Sequence, residues 1–289
     1  MKKLGLATAL LLAMTGAQAY QFEIQGQSEA LDYNDESRDF NNYTVGGQAT
    51  YYFKNVDASK GPLAEAAFVN QASNVALGYN FANLDDTKSQ NVGVKAETYV
   101  PTPYAPAYAS LSYSATDNDG KYGKNDDRGQ RWAVEFGSVI APNFLVAVGY
   151  TNVVEQTSYD TFKILNSGFA KAANETATIA DKQDAITART KYVGAIDGTP
   201  MSIGFETGIV YGEDTAYELK TDLYLNSKLS TGVSYAKSSF ADTPDSAWGV
   251  NVNYFITPAV AVGASYLNAN AVGTDADMQT IGLNAKLRF

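Results

Sequence analysis

The chain has 289 residues, with 31 acidic and 21 basic side chains, no histidine and no cysteine. Without cysteine there is no disulfide framework or thiolate metal site, and without histidine the Ser-His-Asp and Cys-His systems and the common zinc sites are excluded. A net charge of −10 argues against nucleic acid as a partner and favours cations over anions as a whole-molecule field.

Residues 1–19 read as a secretion signal. Lys2 and Lys3 form the basic start, Leu4 to Gly16 is apolar, and Ala17-Gln18-Ala19 fits the small-x-small cleavage rule. Cleavage is expected after Ala19, so the mature domain is 20–289. No later stretch approaches the roughly 20 apolar residues of a spanning helix. The mean hydropathy of −0.22 still suits a membrane barrel, because only alternate strand residues meet lipid.

From Tyr20 onward the chain reads as segments of alternating polarity separated by turn signals. Phe22 and Ile24 open the first, with Glu23, Gln25, Gln27 and Glu29 on the opposite face. Tyr43 to Phe53 is the second. Lys60 to Phe68 then reads as a short helix, with Pro62 in its first turn. An ordinary turn helix is the expectation there, and a lid the alternative.

Apolar faces recur at Val75/Leu77/Tyr79/Phe81, Val92/Val94/Ala96, Ala107/Ala109/Leu111/Tyr113, Trp132/Val134/Phe136 and Phe144/Val146/Val148/Tyr150. After residue 200 they recur at Met201 to Tyr211, Tyr217 to Leu225, Leu229 to Tyr235, Trp248 to Tyr254 and Val260 to Tyr266. The last segment, Ile281 to Phe289, alternates strictly to the terminal aromatic. Tight connections such as 141–143, 226–227 and 257–259 alternate with polar ones at 32–42, 116–130, 238–246 and 269–277. This is the pattern of an all-β, transmembrane antiparallel barrel, with short periplasmic turns and long outer loops.

Thirteen such segments are clear, and bacterial barrels have even strand counts, so a fourteenth lies between Tyr150 and Met201. Two placements fit. One is 186–196, after a long outer loop near 154–185. The other is 156–165, before a long periplasmic connection near 166–199. The β-formers of Thr157 to Leu165 favour the second. Residues 170–190 favour helix; 166–199, with or without 269–277, is expected to fold into or over the lumen, and a surface loop is the alternative.

Phasing by the apolar faces sends a mixed set of charges inward: Glu23, Glu29, Lys95, Glu97, Arg131, Glu135, Glu206, Glu218, Lys220, Asp222, Lys286 and Arg288. They are the candidate pore lining. Gly78, Gly93, Gly137, Gly149, Gly204, Gly208, Gly232, Gly249, Gly263 and Gly282 share that face. Two explanations stay open for them: room for water or an inserted segment, or eased strand curvature. Tyr43, Tyr79, Tyr113, Trp132, Tyr150, Tyr211, Tyr217, Trp248 and Tyr266 sit near strand ends, as interfacial rings do. No motif for a cofactor, metal or catalytic constellation stands out. Absence of histidine weighs against a barrel hydrolase, so no enzyme activity is expected.

Runs such as Tyr51 to Phe68, Asp181 to Tyr192, Trp248 to Tyr266 and Ile281 to Phe289 resemble the general porin family of Gram-negative bacteria over nearly the whole chain. The sequence departs mainly at 32–42, 83–90, 116–130 and 238–246. The resemblance implies a fourteen-stranded outer-membrane barrel that passes water, small solutes and monovalent cations, with loops that narrow or gate the lumen. It also implies contact with lipid and lipopolysaccharide, and recognition of the strand ending in Phe289 by the barrel-assembly machinery. Antibiotic permeability, virulence and contact with host proteins follow from the same resemblance. A surface adhesin with a closed lumen is the alternative.

Overall fold

The computed structural model describes residues 19–33, 42–84, 87–120, 127–154, 158–179, 183–239, 246–270 and 277–289. Most of the expected signal segment lies outside them, as do the centres of the loops at 32–42, 116–130, 238–246 and 269–277.

Fourteen antiparallel strands close into one barrel. They are β1 (Ala19–Tyr33), β2 (Asn42–Asp57), β3 (Asn74–Leu84), β4 (Thr87–Val100), β5 (Ala107–Gly120), β6 (Asp127–Ala141), β7 (Phe144–Val154), β8 (Asp184–Ala195), β9 (Ser202–Tyr211), β10 (Thr215–Tyr224), β11 (Leu229–Ser238), β12 (Ser246–Thr257), β13 (Val260–Asn270) and β14 (Asp277–Arg288). Closure pairs β1 with β14, from Glu23 opposite Arg288 to Tyr33 opposite Met278. The Phe289 carbonyl accepts from the backbone N–H groups of Gln21 and Phe22, and the Phe289 N–H donates to the Phe22 carbonyl. The Phe22 and Phe289 rings stack at 5.5 Å on the outer surface. Every strand therefore has two neighbours, which lipid requires of a spanning sheet.

The outer face is apolar and exposed, as at Leu77 (63%), Leu111 (58%), Val233 (58%) and Leu283 (64%). Aromatic pairs border this belt. Trp132–Tyr150, Trp248–Tyr266 and Tyr217–Tyr235 lie toward the end away from the termini. Phe22, Tyr51, Phe53 and Phe289 lie toward the terminal end. Ten residues of β2 separate Tyr43 from Phe53, which is about 33 Å along a strand and about 25 Å along the normal at a tilt near 40°. That matches the apolar height of an outer-membrane barrel. Among the described residues no helix is long and apolar enough to cross a membrane; the strands cross it.

Several strands outrun the alternation in the sequence. β5 continues through the polar stretch Thr116–Gly120, paired with β4 as far as Thr87 opposite Gly120. Ladder hydrogen bonds need no apolar side chain, so pairing persists beyond the lipid where the alternation fades.

The fourteenth strand is not at 156–165. It is β8, Asp184–Ala195, paired to β7 and β9. Residues 161–167 instead form α2 (Thr161–Ser167), followed by α3 (Phe169–Ile179). The local cause is Asp160, whose side chain accepts from the N–H groups of Phe162 and Lys163 at 2.9 and 3.2 Å. This caps the helix start and outweighs the β-propensity of the residues after it. The long connection is thus 155–183, at the far end with the other long loops. The periplasmic placement at 166–199 is overturned.

Both helices turn inward. Ile164, Phe169, Ala170 and Ala172 bury against Leu31, Ala82, Ala247, Leu267, Ala269 and Met278 of the inner wall.

Candidate functional site

A hollow of about 620 Å³ lies inside the barrel. Two of the chain's own connections cover it, one from each end.

From the far end come α2 and α3. Their seat on the wall is built from glycine. A Cβ on Gly93 would sit 2.6 Å from Thr161 Oγ1, one on Gly78 2.9 Å from Thr161 Cγ2, and one on Gly46 2.7 Å from Leu165 Cδ2. Gly78 and Gly93 face each other across β3 and β4. Of the two explanations for the inward glycines, this patch obeys the first: it makes room for an inserted segment. Elsewhere the space goes to neighbouring side chains, as where Tyr224 lies over Gly204. Valine at position 93 should displace α2 at about 1–3 kcal/mol, with no backbone strain in β4. Limited proteolysis at 158–179 checks this: cleavage should quicken while the heat-modifiable gel mobility of the barrel stays unchanged.

The wall also satisfies the helix ends. Gln25 and Gln27 donate to the carbonyls of Leu165 and Ile164 at 3.0 and 2.8 Å. Glu29 accepts from the Phe169 N–H at 3.1 Å and from Thr44 Oγ1 at 3.0 Å. The Leu165 carbonyl and the Phe169 N–H are groups that a helix leaves unpaired at its termini, and the Ile164 carbonyl is shared with the Gly168 N–H. Asn91 and Ser114 hold the Thr161 hydroxyl.

Charge completes the attachment. Glu175 pairs with Arg131, and its other oxygen lies 2.7 Å from Lys163. Glu218 of β10 takes Lys163 at 2.9 Å and Lys171 at 3.3 Å. Lys171 also donates to Ser234 Oγ at 2.6 Å. Burial alone would raise the Glu175 pKa, but Lys163 and Arg131 prevail and bring it down to about 2. Burial would lower that of Lys163, yet Glu175 and Glu218 hold it above the ordinary value. The sign for pH follows. A depressed carboxyl stabilises fully above its unfolded value near 4.5 and loses that contribution as pH falls toward 2. Acidification from pH 7 to about 5 should leave the Glu175 ion pairs of α3 intact, with their loss only below about pH 4. Hydrogen exchange of α3 amides across that range reads the difference.

From the terminal end comes the connection between β2 and β3. It holds a 3-10 turn (Leu63–Glu65) and α1 (Ala66–Val69). This is no ordinary turn helix; it reaches across the mouth. The Leu63 N–H donates to the Ser227 carbonyl, beyond β10, at 2.8 Å. Glu65 meets Lys191 of β8 at 2.9 Å and accepts from the Tyr224 hydroxyl at 2.9 Å. Burial pushes the Glu65 pKa up, but Lys191 and Lys220 leave it below the ordinary value. Phe68 packs among Tyr108, Val139, Leu145, Ala147, Val193 and Tyr224. Arg288 fastens this lid. Its side chain, 2% exposed, donates to Glu23 at 2.7 Å and to the Leu63 carbonyl at 2.8 Å. The Tyr20 and Phe255 rings flank its guanidinium at 4.6 Å each.

Between the two inserts runs a belt of mixed charge. Lys95 and Glu97 pair at 3.0 Å, Arg189 and Glu135 at 2.9 Å, and Lys220 and Asp222 at 3.1 Å. Tyr108 bridges, donating to Glu97 and accepting from Arg189 at 2.9 Å each.

The twelve residues phased inward divide among these places. Lys95, Glu97, Glu135, Glu206, Glu218, Lys220, Asp222 and Lys286 border the hollow. Arg131 and Glu29 border it too, and together with Glu218 they hold the insert. Glu23 and Arg288 lie buried beneath the lid. Arg189, Lys191, Glu65, Lys163, Lys171 and Glu175 were missed. The period-two run Thr187/Arg189/Lys191 carried a readable signal, obscured by the misplaced strand. Among the described residues no group of acidic side chains could hold a metal ion.

The family model described as "Putative general bacterial porin" matches residues 1–289. The chain belongs to this porin family. The porin is 49% identical to the outer membrane protein Omp33 of Acinetobacter baumannii, whose crystal structure it matches with a TM-score of 0.72 over 94% of this chain and 99% of that one. Two remoter structures share only the fold. The toluene transporter TodX of Pseudomonas putida is 7% identical, with a TM-score of 0.50 over 96% of this chain and 92% of that one. A FadL homologue of Pseudomonas aeruginosa is 8% identical, with the same TM-score and coverages. No curated protein matches the porin's sequence. Membership places the barrel in the outer membrane of a Gram-negative bacterium and points to transport rather than catalysis.

Proposed function

We propose that this porin is a gated diffusion channel for small solutes, monovalent cations among them. The observation that carries the reading is the charge-lined hollow inside a closed barrel, covered at each end by a segment of the same chain. Opposite charges along the belt nearly balance, so the cation preference set by the net charge of −10 should be weak. Both covers are held by ion pairs, hydrogen bonds and apolar packing rather than by strand pairing, so either can leave without opening the sheet.

Planar-bilayer recording with a reversal potential in a KCl gradient tests the reading. Step conductance with a small reversal potential of cation-selective sign is expected. A strong anion preference overturns the charge argument.

The seating of α2 and α3 also favours a second reading, a surface barrel with a permanently filled lumen that binds host proteins. That reading wins where folded protein passes no ions but binds a host matrix protein.

Export with cleavage after Ala19, contact with lipid and lipopolysaccharide, and recognition of Phe289 by the assembly machinery belong to the same proposal. Phe289 supports the last point: it is 41% exposed on the outer face and completes the β1–β14 seam.

A further inference from the structure

Most charges of the belt are spent on one another or on the covers. Glu218 holds Lys163 and Lys171, and Lys191 holds Glu65. Glu206 differs. Its nearest cations are Arg189 at 3.5 Å and Lys191 at 3.8 Å, beyond close hydrogen-bond contact, and its side chain is 37% exposed to the hollow. Lys220 is 34% exposed and, among the described residues, pairs within 4.0 Å with Asp222 alone. These two stand directly opposite each other on β9 and β10.

A carboxylate held only by long ion pairs and a partly exposed ammonium are therefore cross-strand neighbours, with backbones about 5 Å apart. A lone cation at Glu206 is repelled by Arg189 and Lys191, and a lone anion at Lys220 by Asp222 and Glu206. In a solute carrying both signs joined through one carbon, each repulsion is offset by the attraction of its other charge to the same groups. Its ammonium and carboxylate carbon are about 2.5 Å apart. That fits an ammonium donating to Glu206 while a carboxylate accepts from Lys220.

We propose that Glu206 and Lys220 form a subsite for small zwitterions of the α-amino-acid class. The subsite rests on the channel reading above. Across the barrel, Gln48 and Thr50 of β2 offer neutral donors and acceptors to the rest of the solute.

Alanine, its uncharged analogue lactamide and its anionic analogue lactate separate charge pattern from size. Proteoliposomes should pass alanine about threefold faster than lactamide or lactate, as expected of partly exposed charge pairs. The double variant E206Q/K220M should lose that preference in protein that still passes KCl. The exchange E206K/K220E keeps both signs at the site and should keep part of the preference. Protein that passes KCl but moves alanine no faster than lactamide overturns the subsite alone, as does a preference that survives E206Q/K220M. Folded protein that passes no KCl overturns the channel reading and the subsite with it.

Discussion

Replacing residues 158–179 with a short Gly-Ser turn should raise single-channel conductance at least about threefold, with the barrel intact. A fourteen-stranded wall is too wide for its own side chains to fill, and α2 and α3 occupy much of the remainder. The cut must stop at 179. Removal as far as 188 would take Asp184–Ala188 out of β8, break its pairing with β7 and β9, and confuse opening with unfolding. Unchanged conductance in a variant of normal heat-modifiable mobility would show that the insert does not limit flow. Because the lid remains, a further rise is expected when it is also released.

Arg288→Met supplies that release and should have the largest effect on stability. It leaves the Leu63 carbonyl without its donor and Glu23 with Lys286 alone, at 3.1 Å. It also removes the cation held between the Tyr20 and Phe255 rings. Loss of one partner from a buried ion pair costs about 3–5 kcal/mol. The urea midpoint of the micelle-bound barrel, followed by tryptophan fluorescence, should fall accordingly. Arg288→Lys should recover only part, since an ammonium lacks the planar fork that reaches Glu23 and Leu63 together. Equal midpoints for all three proteins would leave the clasp without a stabilising role.

How far the sequence could be read depended on where the physics is local. Strand phase is local: at Ile281 to Phe289, and along nearly every strand, one face meets lipid and the alternation records it. The inward charges followed from that phase alone. What they touch did not follow. Glu29 reads as another wet residue of β1, yet it caps α3, which begins 140 residues later. Thr157 to Leu165 reads as strand because its composition does; the Asp160 cap and the seat on the inner wall, which no composition shows, make it helix. Lys60 to Phe68 reads as a short helix, and Leu63–Glu65 with Ala66–Val69 form its helical part. Its span across the mouth depends on Ser227, Tyr224 and Arg288, which no local window contains.

The Arg288 clasp also constrains the order of assembly. The lid belongs to the first quarter of the chain to emerge, but its fastener is the penultimate residue. Ser227 and Phe255, which it also needs, come late as well. Contacts of such long sequence separation form slowly and only after the intervening chain is in place. An incompletely folded barrel is consequently unsealed at its periplasmic mouth. The event that joins β14 to β1 is the event that brings Arg288 to the lid, so completion of the wall and closing of that mouth are a single step.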